Sequence, residues 1–197
     1  MKIVGLTGGI GMGKSTAAAA LRRAGIPVFD ADAAAHRLQA PGGRALPAIA
    51  AAFPGTVHDG VLDRAALRAV VLADRSRLRT LEAIVHPLVR AEQARFLARA
   101  RTRHAGMAVL DIPLLFETGA DRLTDAVIAV SSPPGLQRIR VRRRGLAAAE
   151  IDRIVAVQMP DAERVRRADV VIRTGLSRFH AVRAIQRWLA TQRPKIL

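Results

Sequence analysis

The sequence predicts an α/β fold: a parallel sheet of about five strands flanked by helices, carrying a helical insertion and a helical lid. Three observations carry that expectation. Short apolar runs ending in turn-forming residues alternate with helical stretches, the pattern of right-handed βαβ units. The first run leads straight into a glycine-rich loop and an Ala-rich helix. Between the second and third runs lies a long segment whose apolar residues recur at helical spacing.

Taken in order, Ile3 to Leu6 reads as a buried strand, and Ser15 to Ala24 as a helix stopped by Gly25. Pro27 to Phe29 gives a second short strand, running into Asp30 and Asp32. Met107 to Ile112, Ala126 to Val130 and Asp169 to Ile172 give three more. Ala40 to Gly43 and Phe53 to Gly60 look like loops. Leu78, Leu81, Ile84, Val85, Leu88 and Val89 follow helical spacing, with a kink or break expected at His86-Pro87. Phe179, Val182, Ile185 and Leu189 make the apolar stripe of a closing helix. The expected organisation is an α/β core over residues 1–36 and 104–197, with a lid at about 135–160 and an insertion over 37–103.

Bulk properties narrow the function. A chain of 197 residues that is 50% hydrophobic can bury a sizeable core. It has no Cys, which excludes disulfides, thiolate metal sites and a cysteine nucleophile. No apolar stretch approaches the ~20 residues of a membrane span, and no secretory h-region follows Met1, so no membrane partner and a cytoplasmic location are expected. The net charge of +16 raises the question of nucleic acid. Yet aromatics are only 3%, Tyr is absent, and the cations are scattered along the chain, so no specific nucleic-acid partner is expected.

Residues 8–15, Gly8-Gly9-Ile10-Gly11-Met12-Gly13-Lys14-Ser15, match G-x-x-x-x-G-K-[ST] without a break. This is a P-loop: glycines let backbone N–H groups curl around phosphates, and the helix that follows aims its positive end at them. Gly9, Gly11, Met12, Gly13, Lys14, Ser15 and Thr16 are therefore the candidate ATP contacts, with the Ser15 hydroxyl placed to ligate Mg²⁺. Lys14 stands out further, because every other cation is Arg except Lys2 and Lys195 near the termini. A compositional drift to Arg spares a Lys where a planar fork cannot replace a point charge. With no Asn, an N-K-x-D guanine motif cannot exist, which argues against a regulatory GTPase.

The run Gly5 to Thr16 is similar to the opening of dephospho-CoA kinases. So are Asp30-Ala31-Asp32, Asp59 to Arg64, Leu81 to Pro87, Asp111 to Glu117, and Gln137, Arg140, Arg144 and Gln158. The likeness runs in order along nearly the whole chain. It implies transfer of the γ-phosphate of ATP, with Mg²⁺, to the 3′-hydroxyl of dephospho-CoA, the last step of coenzyme A synthesis. ATP and dephospho-CoA are thus the expected partners, with a monomer or small homo-oligomer as the assembly. It implies catalytic roles for Asp32, Lys14, Arg140 and Arg144, with Asp32 as general base and Arg144 also an ATP contact, and substrate contacts from Asp32, His86, Pro87 and Leu115.

Several residues admit a second reading. Asp32 could simply N-cap a helix beginning at Ala33. Asp30 and Asp32 would share a face if the chain stays extended there. Asp111 fits either Mg²⁺ binding through water or a strand-end turn. Arg140 and Arg144, four apart, would be neighbours on one helix face. Two other functions share parts of the pattern: a nucleoside or nucleotide kinase, and a nucleic-acid-binding protein that uses ATP only as a ligand.

Overall fold

The structure, a computed structural model, describes residues 1–192. In chain order the elements are β1 (Lys2–Thr7), α1 (Lys14–Arg23), β2 (Val28–Asp30), α2 (Ala31–Leu38), α3 (Leu46–Ala52), β3 (Val57–His58) and β4 (Val61–Leu62). They continue with α4 (Arg64–Ala73), α5 (Arg75–Thr102), β5 (Met107–Asp111), β6 (Ala126–Ser131), α6 (Pro134–Arg142), α7 (Ala148–Ala156), α8 (Asp161–Arg167), β7 (Val170–Arg173) and α9 (Arg178–Gln192). Five strands form one sheet in the order β2-β5-β1-β6-β7. The pairings of β1 with β5, β1 with β6 and β6 with β7 are all parallel. The mostly parallel five-strand sheet flanked by helices is the predicted one.

The chain divides into two compact units: Met1–Phe29 with the residues from Ala100 onward, and Asp30–Arg99. Asp32 belongs to the second unit. In the first, Val4 and Leu6 of β1 and Ile128 and Val130 of β6 are completely buried beneath Ala17, Ala18 and Leu21 of α1. The small alanines let the helix lie close to the strands while Leu21 fills the remaining space. In α9, Ala181 and Ile185 face this core, whereas Phe179 is 63% exposed. Val182 and Leu189 pack against the same core, so the expected stripe holds at three of its four positions. Phe179 alone leaves it, with the Arg183 guanidinium 5.4 Å from its ring, within the ~6 Å reach of a cation–π contact.

The second unit has its own core of Leu38, Leu46, Ile49, Phe53, Leu67, Val71 and Val85. Two expectations fail in it. The helix α5 runs unbroken through Pro87, because losing one i→i−4 bond is offset by the packing of Ile84, Val85, Leu88 and Val89 on either side. The segment read as a loop contains a β3–β4 hairpin whose turn is Asp59-Gly60. Both turn residues have positive φ, 49° and 74°, the backbone that an Asp-Gly hairpin turn requires. Asp63 then caps α4, its Oδ1 accepting the amides of Ala65 and Ala66 at 2.9 Å.

Candidate active site

β1 ends at Thr7, and the chain turns through Gly8 to Gly13 into α1. Two glycines have reasons of their own. Gly11 has φ +73° and a Cβ there would meet Val141 Cγ2 at 2.5 Å. Gly13, at φ +96°, is the N-cap of α1 and lies against Thr174. Neither conformation nor space admits another side chain.

Lys14 opens α1 and reaches across to the end of β5, where its Nζ meets Asp111 Oδ1 at 2.6 Å. The pairing follows from the sheet, since Leu6 of β1 is in register with Asp111 of β5. Asp111 is 3% exposed, so the carboxylate is desolvated and held against its cation. Ser15 is exposed at the second position of α1, and Thr16 is half-buried. Met12, by contrast, is buried: its Sδ accepts the Ser132 amide, and its carbonyl accepts Thr174 Oγ1 at 2.6 Å. It contributes backbone to the loop and side chain to the core.

An open pocket of about 380 Å³ adjoins the loop. Gly11, Gly13 and Thr16 form one side of it, and Arg140, Arg143, Arg144 and Arg178 bring positive charge to the rest. Arg140, on α6, is half-buried and fixed: its Nη2 donates to the Thr174 carbonyl at 2.6 Å, its Nη1 to Thr174 Oγ1 at 3.0 Å and Ser132 Oγ at 3.2 Å. Arg144 lies beyond the end of α6, which stops at Arg142, so the two are not stacked on one helix face as expected. The chain turns at Gly145, φ +87°, and Arg144 meets the pocket from that turn, exposed. Arg138 points elsewhere, to Asp152 of α7 at 2.6 Å.

The remaining candidates separate clearly. Asp30, not Asp32, caps α2, with its Oδ1 accepting Ala33 N–H at 2.9 Å. The helix starts at Ala31, so the extended face shared by the two carboxylates does not form. Asp32 is left exposed in the first turn of α2. His86 and Pro87 are exposed on α5. Leu115 is completely buried and packs against Gly5 and Phe116, so its side chain is core and is not presented to a ligand. Sequence reasoning missed Arg143 and Arg178, which are indistinguishable in composition from their many Arg neighbours. It also missed Thr174, whose role depends on contacts more than thirty residues away in the chain. Among the described residues no cluster of three His, Asp or Glu side chains could hold a metal by itself, and no helix is long and apolar enough to cross a membrane.

The comparison with known families decides between the kinases that such a loop could serve. The family profile of dephospho-CoA kinase matches residues 2–177. The chain belongs to the dephospho-CoA kinase family. A dephospho-CoA kinase from Gluconobacter oxydans is 54% identical over 190 residues, 94% of each chain. One from Paramagnetospirillum magneticum is 56% identical over 165 residues, 83% of this chain and 78% of the relative. A crystal structure from Thermus thermophilus superposes with a TM-score of 0.85 at 39% identity, covering 96% of this chain and 97% of that one. A Campylobacter jejuni dephospho-CoA kinase, 24% identical, shares the fold with a TM-score of 0.70 over 97% and 98% of the two chains. The chain is a kinase, with ATP as co-substrate, and the reaction of its family is the phosphorylation of dephospho-CoA that completes coenzyme A synthesis.

Proposed function

We propose that the chain carries the γ-phosphoryl group of ATP to the 3′-hydroxyl of dephospho-CoA with four residues in defined roles. Lys14 and the loop amides bind the β- and γ-phosphates. Arg140 and Arg144 neutralise charge on the phosphoryl group in flight. Asp32 takes the proton of the attacking hydroxyl. The observation that carries this reading is the meeting of Gly11, Gly13 and Thr16 with Arg140 and Arg144 around one pocket. A phosphate cradle and a cationic wall are what a loose, anionic phosphoryl transfer state requires. His86 is exposed on α5, as a residue that meets a substrate must be; a substrate contact there, with Pro87 beside it, is part of the proposal.

Ser15 closes the loop and Asp111 meets Lys14 beside it, and oxygen donors suit Mg²⁺. When bound with nucleotide, the ion offsets charge on the β- and γ-phosphates. A small-molecule kinase drawing on ATP fits the cytoplasm, and a monomer or small homo-oligomer is part of the proposal.

A steady-state assay with Mg·ATP and three acceptors tests the reading. Dephospho-CoA should be turned over with a kcat/KM at least about 10³ times that of AMP or adenosine, a discrimination of the size that buried polar recognition supplies. Equal efficiency on AMP would make the chain a nucleotide kinase.

A further inference from the structure

At Ile10 the phosphate loop is held from outside itself through both its amide and its carbonyl. Ile10 N–H donates to Gln158 Oε1 at 3.1 Å, and Ile10 C=O accepts from Gln137 Nε2 at 2.9 Å. These bonds fix two successive peptide groups, Gly9–Ile10 and Ile10–Gly11, each flanked by a glycine. Glycine-flanked peptides have the lowest barrier to reorientation, so this is where the loop needs restraint. The amide orientations of both glutamines follow from their partners, since a backbone N–H only donates and a C=O only accepts.

The glutamines are themselves secured. Gln137 lies on α6 and is buried. Gln158 follows α7 and precedes Met159, whose N–H donates to Glu117 Oε1 at 2.7 Å and whose C=O accepts from Arg164 Nη2 at 2.7 Å. Arg164, on α8, is 1% exposed, an expensive place for a guanidinium. It also meets Asp161 Oδ1 at 3.3 Å, while Asp161 Oδ2 accepts the Ser131 hydroxyl at 2.6 Å. A Cβ on Gly9 would sit 3.1 Å from Gln158 Oε1 and 3.5 Å from Arg164 Nη1, so loop, glutamine and arginine are in close order.

We infer that Gln137 and Gln158 are positioning residues for ATP: they clamp the Ile10 peptides so that the neighbouring loop N–H groups are preset for phosphate, and Arg164 is the buried support of that clamp. The inference rests on the reading of this loop as the ATP site. It assigns no contact between either glutamine and the nucleotide. Its consequence is that α6 and the segment after α7 set the affinity of the loop from behind.

The test uses the full chain with four substitutions. Gln137→Met and Gln158→Met keep length and remove the hydrogen bond. Each should weaken ATP binding, read by equilibrium titration, by about tenfold, the scale of one lost buried hydrogen bond, with the acceptor KM within twofold of wild type. Gln137→Glu and Gln158→Glu add the same charge and each loses its Nε2 donor, but only that of Gln137 reaches the loop, so Gln137→Glu should bind ATP at least about tenfold more weakly than Gln158→Glu. Hydrogen exchange should accelerate in residues 8–13 of the Met variants while β1 and α9 keep wild-type protection. ATP affinity within twofold of wild type in both Met variants, equal losses in the two Glu variants, or uniform acceleration across the chain would each overturn the clamp. If the wild type itself fails to bind ATP, the reading of the site falls, and the exchange measurement still decides the clamp.

Discussion

The two compact units present their candidate residues in opposite ways. In the first, most are tied down before any ligand arrives: Lys14 to Asp111, the Met12 carbonyl to Thr174, Arg140 to Thr174 and Ser132, Ile10 to Gln137 and Gln158. In the second, Asp32, His86 and Pro87 stand exposed on α2 and α5. The difference follows from the chemistry each would meet. A phosphate held by backbone amides gains from donors already in place, because reorganising them at the moment of reaction would cost part of the stabilisation. A base meeting a flexible acceptor needs only to be presented. Ser15 and Arg144 mark the boundary of the rule, since both are exposed in the first unit.

The largest test of that contrast is Lys14. Lys14→Ala should lower kcat by on the order of 10⁴ or more while leaving the thermal transition near wild type, since phosphate charge would go unneutralised. Lys14→Arg should lose nearly as much. A guanidinium could still pair with Asp111, so its failure would isolate the fit of a point charge in the cradle. Wild-type kcat in Lys14→Arg would remove the argument from the lone internal lysine.

Next comes Asp32→Asn, expected to cut kcat by on the order of 10²–10⁴ with little change in ATP affinity. Because Asp30 supplies the α2 cap, Asp32→Asn should not lower stability. That makes the outcome sharp: near-normal kcat would show Asp32 to be a surface residue of a helix start.

How legible these residues were depends on how far apart their partners lie. The phosphate loop could be read whole because its chemistry needs contiguous residues, each with a reason at its place. The sheet followed from apolar runs, and β5 and β6 are nearly as buried as those runs suggested. The clamp on Ile10 could not be read, although Gln137 and Gln158 belong to the pattern that resembles the family. Its partners are separated by well over a hundred residues, and nothing local distinguishes a glutamine that holds a peptide from one in solvent. Pro87 misled for the opposite reason: a strong local rule was overridden by apolar neighbours packing on both sides of it. The Asp59-Gly60 turn was legible in principle, for that dipeptide signals a hairpin, but strands of two residues give no period to reinforce it.

Within the first unit, the contrast between fixed and free can be measured on Arg140 and Arg144. Arg140→Ala and Arg144→Ala should each lower kcat by on the order of 10², as for loss of one donor to developing charge. Only Arg140→Ala should also lower the thermal transition, because its guanidinium holds Thr174 and Ser132. Arg138→Ala should change kcat less than about threefold, since an exposed pair with Asp152 contributes little. Equal losses from Arg138 and Arg144 would mean that any cation on the run suffices.

The smallest effect belongs to the second unit and concerns a carboxylate that looks functional in sequence. Asp63 lies in the stretch Asp59 to Arg64, which resembles the family, and its acidic side chain could be taken for a second acceptor-side residue. Its position argues otherwise. Two amides of the first turn of α4, those of Ala65 and Ala66, are satisfied by the one Oδ1, at 2.9 Å. That leaves the side chain oriented by the helix it starts. Asp63→Ala should therefore cost about 1 kcal/mol of stability, the usual worth of an N-cap. In a chain of this length that is a fall of roughly 2–4 °C in Tm. Turnover at 25 °C should stay within twofold, and Asp63→Asn, which can still cap, should recover most of the Tm. A loss of kcat with unchanged Tm would place Asp63 beside Asp32 as a residue that meets substrate, and the exposed helix starts of the second unit would then share one function.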